Sequence, residues 1–256
     1  MKRGWTALRR LFLSTHGKAR IVQGPAGTLD LRFARGVAQS RMRIDAPHLL
    51  AVDYTRSMLG ALLWQPRPRR IAIVGLGGGS QAKFLHRHLP GAVIDVLEIN
   101  PRVLALRDRF HVPPDDDRLR VLLADAAEYL PTQRGRYDLL LVDGYDETGI
   151  PAALATPAFH AACRDALTGD DGVLATNLFC ADHPMHFARL REAFAGRALL
   201  VEEPRQSNRV AFAWNGDDVP RLHAPEEVAA LLPDDAAVQL RDGFNRVVAA
   251  MAAREA

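Results

Sequence analysis

Along the middle of the chain, short apolar runs alternate with stretches of helical spacing, and this alternation decides the fold class. Residues 71–74, 93–97, 119–123, 139–142 and 173–175 are runs of buried-strand type. Between them lie helix-like segments, such as 81–89 and one that opens at Pro101 with Asn100 as its N-cap. Strand–helix repetition of this kind predicts a parallel, doubly wound sheet. Residues 199–202 and 209–214 follow with no helix between them and should pair antiparallel at one edge. Ahead of this region, β-rich segments at 19–23, 28–33 and 37–44 are separated by Gly24-Pro25-Ala26-Gly27 and Arg35-Gly36, which predicts a small antiparallel meander. A helical stretch at 49–64 ends at Pro66-Arg67-Pro68, a stiff basic linker, and one or two helices are expected from residue 224 onward. The expected class is therefore α/β: a mostly parallel, Rossmann-like sheet with an antiparallel edge hairpin, preceded by an N-terminal β-meander. Its boundary is placed between residues 1–68 and 69–256.

Composition narrows the setting. With 256 residues, 48% of them hydrophobic, the chain can bury a substantial core, and no apolar run approaches the ~20 residues needed to cross a bilayer. Its two cysteines, Cys163 and Cys180, provide no disulfide framework, so a reducing, cytoplasmic setting is expected and a membrane is not. Charge is divided unevenly. Residues 1–70 hold 14 Lys/Arg against 3 Asp/Glu, a net of +11, which leaves −8 for the remaining 186. Part of this excess lies in residues 1–18, where Trp5, Leu8, Leu11 and Phe12 suggest a short amphipathic arm. A solvated basic face accounts for the rest. Nucleic acid is not an expected partner, because no aromatic interleaving or base-reading motif accompanies the charge.

In an open parallel sheet, ligands bind beyond the carboxyl ends of the strands. After the first strand comes Gly75-Leu76-Gly77-Gly78-Gly79-Ser80, where missing β-carbons let backbone approach a ligand. Its N–H groups and the following helix start could bind an anion or a polar nucleotide portion; a tight strand-to-helix turn is the structural alternative. The second strand ends at Glu98, a carboxylate able to accept both hydroxyl protons of a ribose. At the third strand's end, Asp125 could accept from an adenine amino group, cap the next helix, or do both. The fourth ends in Asp143-Gly144-Tyr145-Asp146-Glu147, too many acids for a simple turn. Cys180, His183 and His186 have metal-like spacing, but Pro184 interrupts them and no metal is expected.

Together these stations resemble the spermidine synthase family of aminopropyltransferases, a branch of the class I S-adenosylmethionine-binding fold. The likeness runs from about residue 36 to 214. It includes Arg35-Gly36-Val37-Ala38-Gln39, similar to the family's Asp-Gly-x-x-Gln; Leu97-Glu98-Ile99-Asn100; Ala124-Asp125-Ala126; Asp143-x-x-Asp146; and Thr156-Pro157-Ala158-Phe159. The resemblance implies that residues 69–256 form an S-adenosyl-nucleotide-binding transferase domain. Within it, Gly75, Gly77, Gly78, Gly79, Glu98, Asp125 and Gln39 would bind the nucleoside. Asp143 would be the catalytic base, assisted by Asp146, while Gln39, Tyr145 and Asp146 would contact the acceptor. It also implies a homodimer formed through the N-terminal β-region.

Two departures open an alternative. The family's loop acid, which fixes the ammonium of the donated aminopropyl group, corresponds to Gly78, and its Asp-Glu and Tyr-His residues after the β-domain are not reproduced around Asp53-Tyr54-Thr55-Arg56. Arg56 would repel a polycation. Some spermidine-synthase-like methyltransferases carry the same Gly-Leu-Gly-Gly-Gly-Ser loop, and Asn177-Leu178-Phe179-Cys180 resembles their fifth-strand region. The expected activity is thus aminopropyl transfer from decarboxylated S-adenosylmethionine to an amine such as putrescine. The alternatives are methyl transfer from intact S-adenosylmethionine to a small-molecule or protein amine, and a non-catalytic nucleotide-binding protein. An NAD-dependent dehydrogenase fits less well, since the edge hairpin and acidic fourth loop have no role there.

Overall fold

The structure is a computed structural model that describes residues 19–33, 38–147, 149–204, 207–217 and 221–255. The arm expected at 1–18 and residues 35–37 of the glutamine motif lie outside them. β1 (Arg20–Gly24), β2 (Thr28–Arg32) and β3 (Ser40–Arg43) form a three-stranded antiparallel sheet, the expected meander. Its buried acid, Asp30, accepts from Arg41 (2.8 and 3.0 Å) and Arg32 (3.1 Å), and these guanidiniums hold its carboxyl below the usual range.

Strands β4 (Arg70–Val74), β5 (Val93–Glu98), β6 (Leu119–Leu123), β7 (Leu139–Val142), β8 (Val173–Leu178), β9 (Ala198–Glu202) and β10 (Arg209–Trp214) form the main sheet, in the order β6-β5-β4-β7-β8-β10-β9. The first five run parallel, and β10 lies antiparallel between β8 and β9. Continuous apolar runs arise because both faces are covered. Ile71, Ile73, Ile94, Val96, Leu139 and Leu141 belong to one hydrophobic cluster, while the alternating Ala72, Val74, Leu97, Leu140 and Val142 belong to the other.

α2 (Ser80–His88) packs into the first cluster. α4 (Ala126–Tyr129), α5 (Pro157–Ala166) and α6 (His183–Ala193) pack into the second. Polar side chains set the helix starts: Asn100 Oδ1 accepts from Arg102 N (3.0 Å) ahead of α3 (Pro101–Leu104), as expected. Thr156 Oγ1 accepts from Phe159 N (3.1 Å) at α5, so the Thr-x-x-Phe pattern is an N-cap with proline at the first helical position.

The expected helix at 49–64 is shorter: α1 (Asp53–Met58) continues as a tighter turn, Leu59–Leu63. This segment is pressed against the C-terminal helix α8 (Asp234–Glu255), which follows the short α7 (Pro225–Ala229). A β-carbon at Gly60 would stand 2.7 Å from Val247, and one at Gly243 would stand 3.1 Å from the Arg56 carbonyl. Ala236, Leu240, Phe244, Val247 and Met251 form the buried stripe of α8. On the same sheet face Phe212 stacks on Trp64, with centroids 5.2 Å apart and planes at 19°. Phe212 is fully buried. Phe212→Ala is therefore expected to lower stability by roughly 3–5 kcal/mol, measured by denaturant unfolding, and a loss below about 1 kcal/mol would show that the site collapses without a cavity.

At this edge Glu203 is buried and paired with Arg246 of α8 at 3.3 Å, whereas the neighbouring Glu202 is exposed and pairs with Arg209. Cys163 is a fully buried core residue of α5, and burial pushes its thiol far up. Among the described residues, no helix is long and apolar enough to cross a membrane.

Candidate active site

The order of parallel strands reverses between β4 and β7, so the loops leaving these two strands face each other. Gly75 and Asp143 stand in direct backbone contact there. Gly75 has φ +92°, and a β-carbon on it would collide with the Asp143 carbonyl. Gly77 (φ +52°) and Gly78 lie under Ser40 of β3, whose Oγ accepts from Gly78 N at 3.0 Å. The N-terminal sheet thus covers the glycine loop, and half-buried Gln39 immediately precedes that contact.

Anion binding by the loop's N–H groups, expected from sequence, finds little support. Gly75 N donates to Leu97 O (2.8 Å), Leu76 N to Glu98 Oε2 (2.9 Å), Gly78 N to Ser40 Oγ and Gly79 N to Leu76 O (2.7 Å). Four of the five backbone donors from Gly75 to Gly79 are therefore committed within the protein. What the glycines allow instead is close packing, of Gly75 against Asp143 and of Gly78 against Ser40 and Phe110.

Glu98 is buried, its Oε1 accepting from Asn100 N (2.7 Å) and its Oε2 from Leu76 N. Glu98 O also accepts from Ala124 N (3.0 Å), which ties the ends of β5 and β6 together just ahead of Asp125. Asp125 Oδ1 accepts from Ala127 N (2.8 Å) and caps α4.

Asp143 is the chemically distinctive group. Its Oδ2 accepts from Tyr54 Oη (3.0 Å) on α1, and its Oδ1 accepts from Asn177 Nδ2 (2.9 Å) at the end of β8. Both donors are neutral. Burial pushes this carboxyl up to about 6, against the opposing pull of the two hydrogen bonds. Tyr54 is itself raised far above its ordinary range, chiefly by burial and then by the facing Asp143 charge, so it remains a protonated donor. Asn177 is in turn held by Asn208, whose Nδ2 donates to Asn177 Oδ1 at 2.9 Å.

Tyr145 and Asp146 occupy the same loop with different commitments. The Tyr145 hydroxyl donates to Asn177 O (2.8 Å) and accepts from Phe179 N (2.6 Å), which fixes the loop to β8. Asp146 Oδ1 accepts from Gly149 N (3.1 Å) in a turn. Arg56, read as repelling a polycation, donates to Leu50 O (2.8 Å) and lies 3.5 Å from Asp53, which offsets part of its charge.

Tyr54 and Asn177 were not identified as partners of Asp143 from sequence, nor Asn208 as the partner of Asn177. Tyr54 and Asn177 lie 89 and 34 residues from it, and no periodicity links them. The available signal was an Asn at the end of an apolar strand next to the acidic one, where a polar side chain must find a partner.

Residues 54–186 match the family model of the spermine/spermidine synthase domain. The chain is 38% identical over 188 residues to a polyamine aminopropyltransferase of Chromobacterium violaceum, covering 72% of each. It is also 33% identical over 183 residues to the human eEF1A lysine and N-terminal methyltransferase, covering 64% of this chain and 25% of that protein. A crystal structure of a spermidine synthase in complex with the transition state analogue AdoDATO superimposes with a TM-score of 0.69 at 20% identity, over 88% of this chain and 85% of that one.

Proposed function

Since the chain belongs to the spermine/spermidine synthase family of transferases, we propose that it moves an aminopropyl group from decarboxylated S-adenosylmethionine to a small amine acceptor such as putrescine. The observation that carries this reading is the Asp143 carboxylate, placed at the switch point beside the glycine loop and held by two neutral donors. No cation is among those partners, so its negative charge is available to a cationic substrate.

Each residue's part follows from its chemistry. Glu98 accepts the ribose hydroxyl protons, Asp125 faces the adenine amino group, and the loop from Gly75 to Gly79 lets the nucleoside lie close to backbone. Asp146 attracts the acceptor's distal ammonium, with Gln39 and Tyr145 shaping the surroundings. The acceptor nitrogen attacks the carbon attached to sulfur, the carbon–sulfur bond breaks, and sulfur leaves with the bonding pair as the neutral thioether of 5′-methylthioadenosine. Asp143 takes the nitrogen's proton, which requires the carboxyl to be ionised. In-line placement of two charged substrates in a restricted site supplies the remainder of the acceleration.

A second reading, methyl transfer, is supported by Gly78, which leaves no acid in the loop to repel the carboxylate of intact S-adenosylmethionine, and by the human methyltransferase relative. The committed loop N–H groups favour the first reading, because they leave that carboxylate without a backbone cradle. Supplying each donor with putrescine decides between them. The expected product is 5′-methylthioadenosine from the decarboxylated donor. S-adenosylhomocysteine would establish methyl transfer, and neither product across a broad amine panel would indicate a nucleotide-binding protein without turnover.

A further inference from the structure

We propose that Asn177 and Asn208 form a two-amide relay that holds the catalytic carboxylate in its productive orientation, with Asn208 acting on Asp143 only through Asn177. The inference rests on the assignment of Asp143 as the base. An asparagine amide presents a donor at one end and an acceptor at the other, and it can serve a carboxylate only with the NH2 group turned toward it. The Asn208 amide, donating 2.9 Å to Asn177 Oδ1, is what sets that direction, because the reversed amide would bring two NH2 groups together. Asn177 and Asn208 are both buried, so the NH2 group aimed at Asp143 Oδ1 (2.9 Å) is little exposed to competing water. The Asn177 carbonyl accepts from Tyr145, so one residue fixes both the acid and the loop that bears it.

The hairpin explains how Asn208 gets there. β10 begins at Arg209 and pairs with β8 in the register Arg209↔Leu178 and Val210↔Asn177. Asn208 therefore precedes a strand whose register is fixed against the residue it supports. Its own carbonyl accepts from Glu203 N (3.2 Å) across the hairpin, and Glu203 is anchored by Arg246, which also donates to Ser57 Oγ (2.6 Å). The antiparallel edge thus reaches the reaction centre through a continuous set of bonds.

Three groups face Asp143 among the described residues: Tyr54 from α1, Tyr145 from its own loop and Asn177 from β8. The tyrosines stay neutral through the working range, since burial raises both. Removing the Asn177 donor leaves Tyr54 as the sole hydrogen-bond donor to the carboxylate and favours its protonated form.

The test compares turnover of Asn208→Ala, Asn208→Asp and Asn177→Ala with the parent between pH 5.5 and 8.5, alongside Asp143→Asn. The relay predicts that the acid limb of kcat moves up by about one pH unit, so turnover falls about fivefold at pH 6 and less than twofold at pH 8.5. Calorimetric affinity for 5′-methylthioadenosine should stay within about twofold, because no proposed nucleoside contact is altered. Asn208→Asp should give the largest shift of the two position-208 variants, as an acceptor there turns the Asn177 amide over. A loss of equal size at every pH, or a shift with Asn177→Ala but none with either Asn208 variant, would overturn the relay. If Asn177→Ala does not fold, the Asn208 pair decides alone. Retention of turnover by Asp143→Asn would instead remove the base assignment on which the relay depends, and that result is distinct from the others.

Discussion

Replacing Asp143 with Asn is expected to lower turnover by about 10²-fold or more while making the protein more stable at neutral pH. The loss follows from removing the proton acceptor. Asn Oδ1 can still accept from Asn177, and its NH2 can donate to the Tyr54 hydroxyl oxygen, which reverses that bond and leaves the Tyr54 proton without its carboxylate acceptor. The stability gain follows from the carboxyl's raised position. The folded state holds the Asp143 proton up to about pH 6, whereas the unfolded chain releases it near 4. Between those values the folded state binds more protons, so stability falls as pH rises. Above pH 6 the full cost is present, on the order of 2–3 kcal/mol for a shift of about two units. Asn carries no such cost. Melting temperatures of the two proteins should differ most at pH 7–8 and converge below about pH 4, and kcat of the parent should climb through pH 6. A variant that keeps turnover within tenfold of the parent would refute the assignment of the base. One that melts no higher at pH 8 would refute the account of its burial.

The second large effect is expected at Glu98. In Glu98→Gln, one of two buried backbone donors, Leu76 N or Asn100 N, must face an NH2 group in place of an oxygen. An unsatisfied buried donor costs about 1–3 kcal/mol. A ribose hydroxyl loses a charge-assisted acceptor at the same time, which corresponds to roughly 10- to 10²-fold weaker binding. Calorimetry with 5′-methylthioadenosine and a thermal melt together separate the two roles. A lower melting temperature with unchanged affinity would make Glu98 only a brace between the glycine loop and α3.

Much of this architecture was legible because its causes are local. Both faces of the parallel strands are covered, so residues 119–123 and 139–142 read as strands with their observed bounds, and Asn100 announced a helix start through its own side chain. The glycines after the first strand, the acids at the ends of the next three and the antiparallel pairing of the edge strands were equally visible. What escaped was the set of groups that give those acids their character. Nothing near Asp143 in sequence shows that Tyr54 and Asn177 meet it, since that depends on α1 and β8 arriving from distant parts of the chain. The commitment of the loop donors was hidden for the same reason: Ser40 reaches Gly78 from another sheet, 38 residues away. That Tyr145 fastens its loop to β8 was equally hidden, since it depends on the three-dimensional position of the Phe179 N–H.

Gly75 lies shoulder to shoulder with the Asp143 main chain, leaving no room for even a methyl group. The loop proposed to receive the nucleoside and the carboxylate proposed to remove the proton are therefore mechanically a single block. Divergence toward new acceptors must leave that block and the Tyr54 contact alone and proceed in the surrounding walls, such as the segment after Asp146.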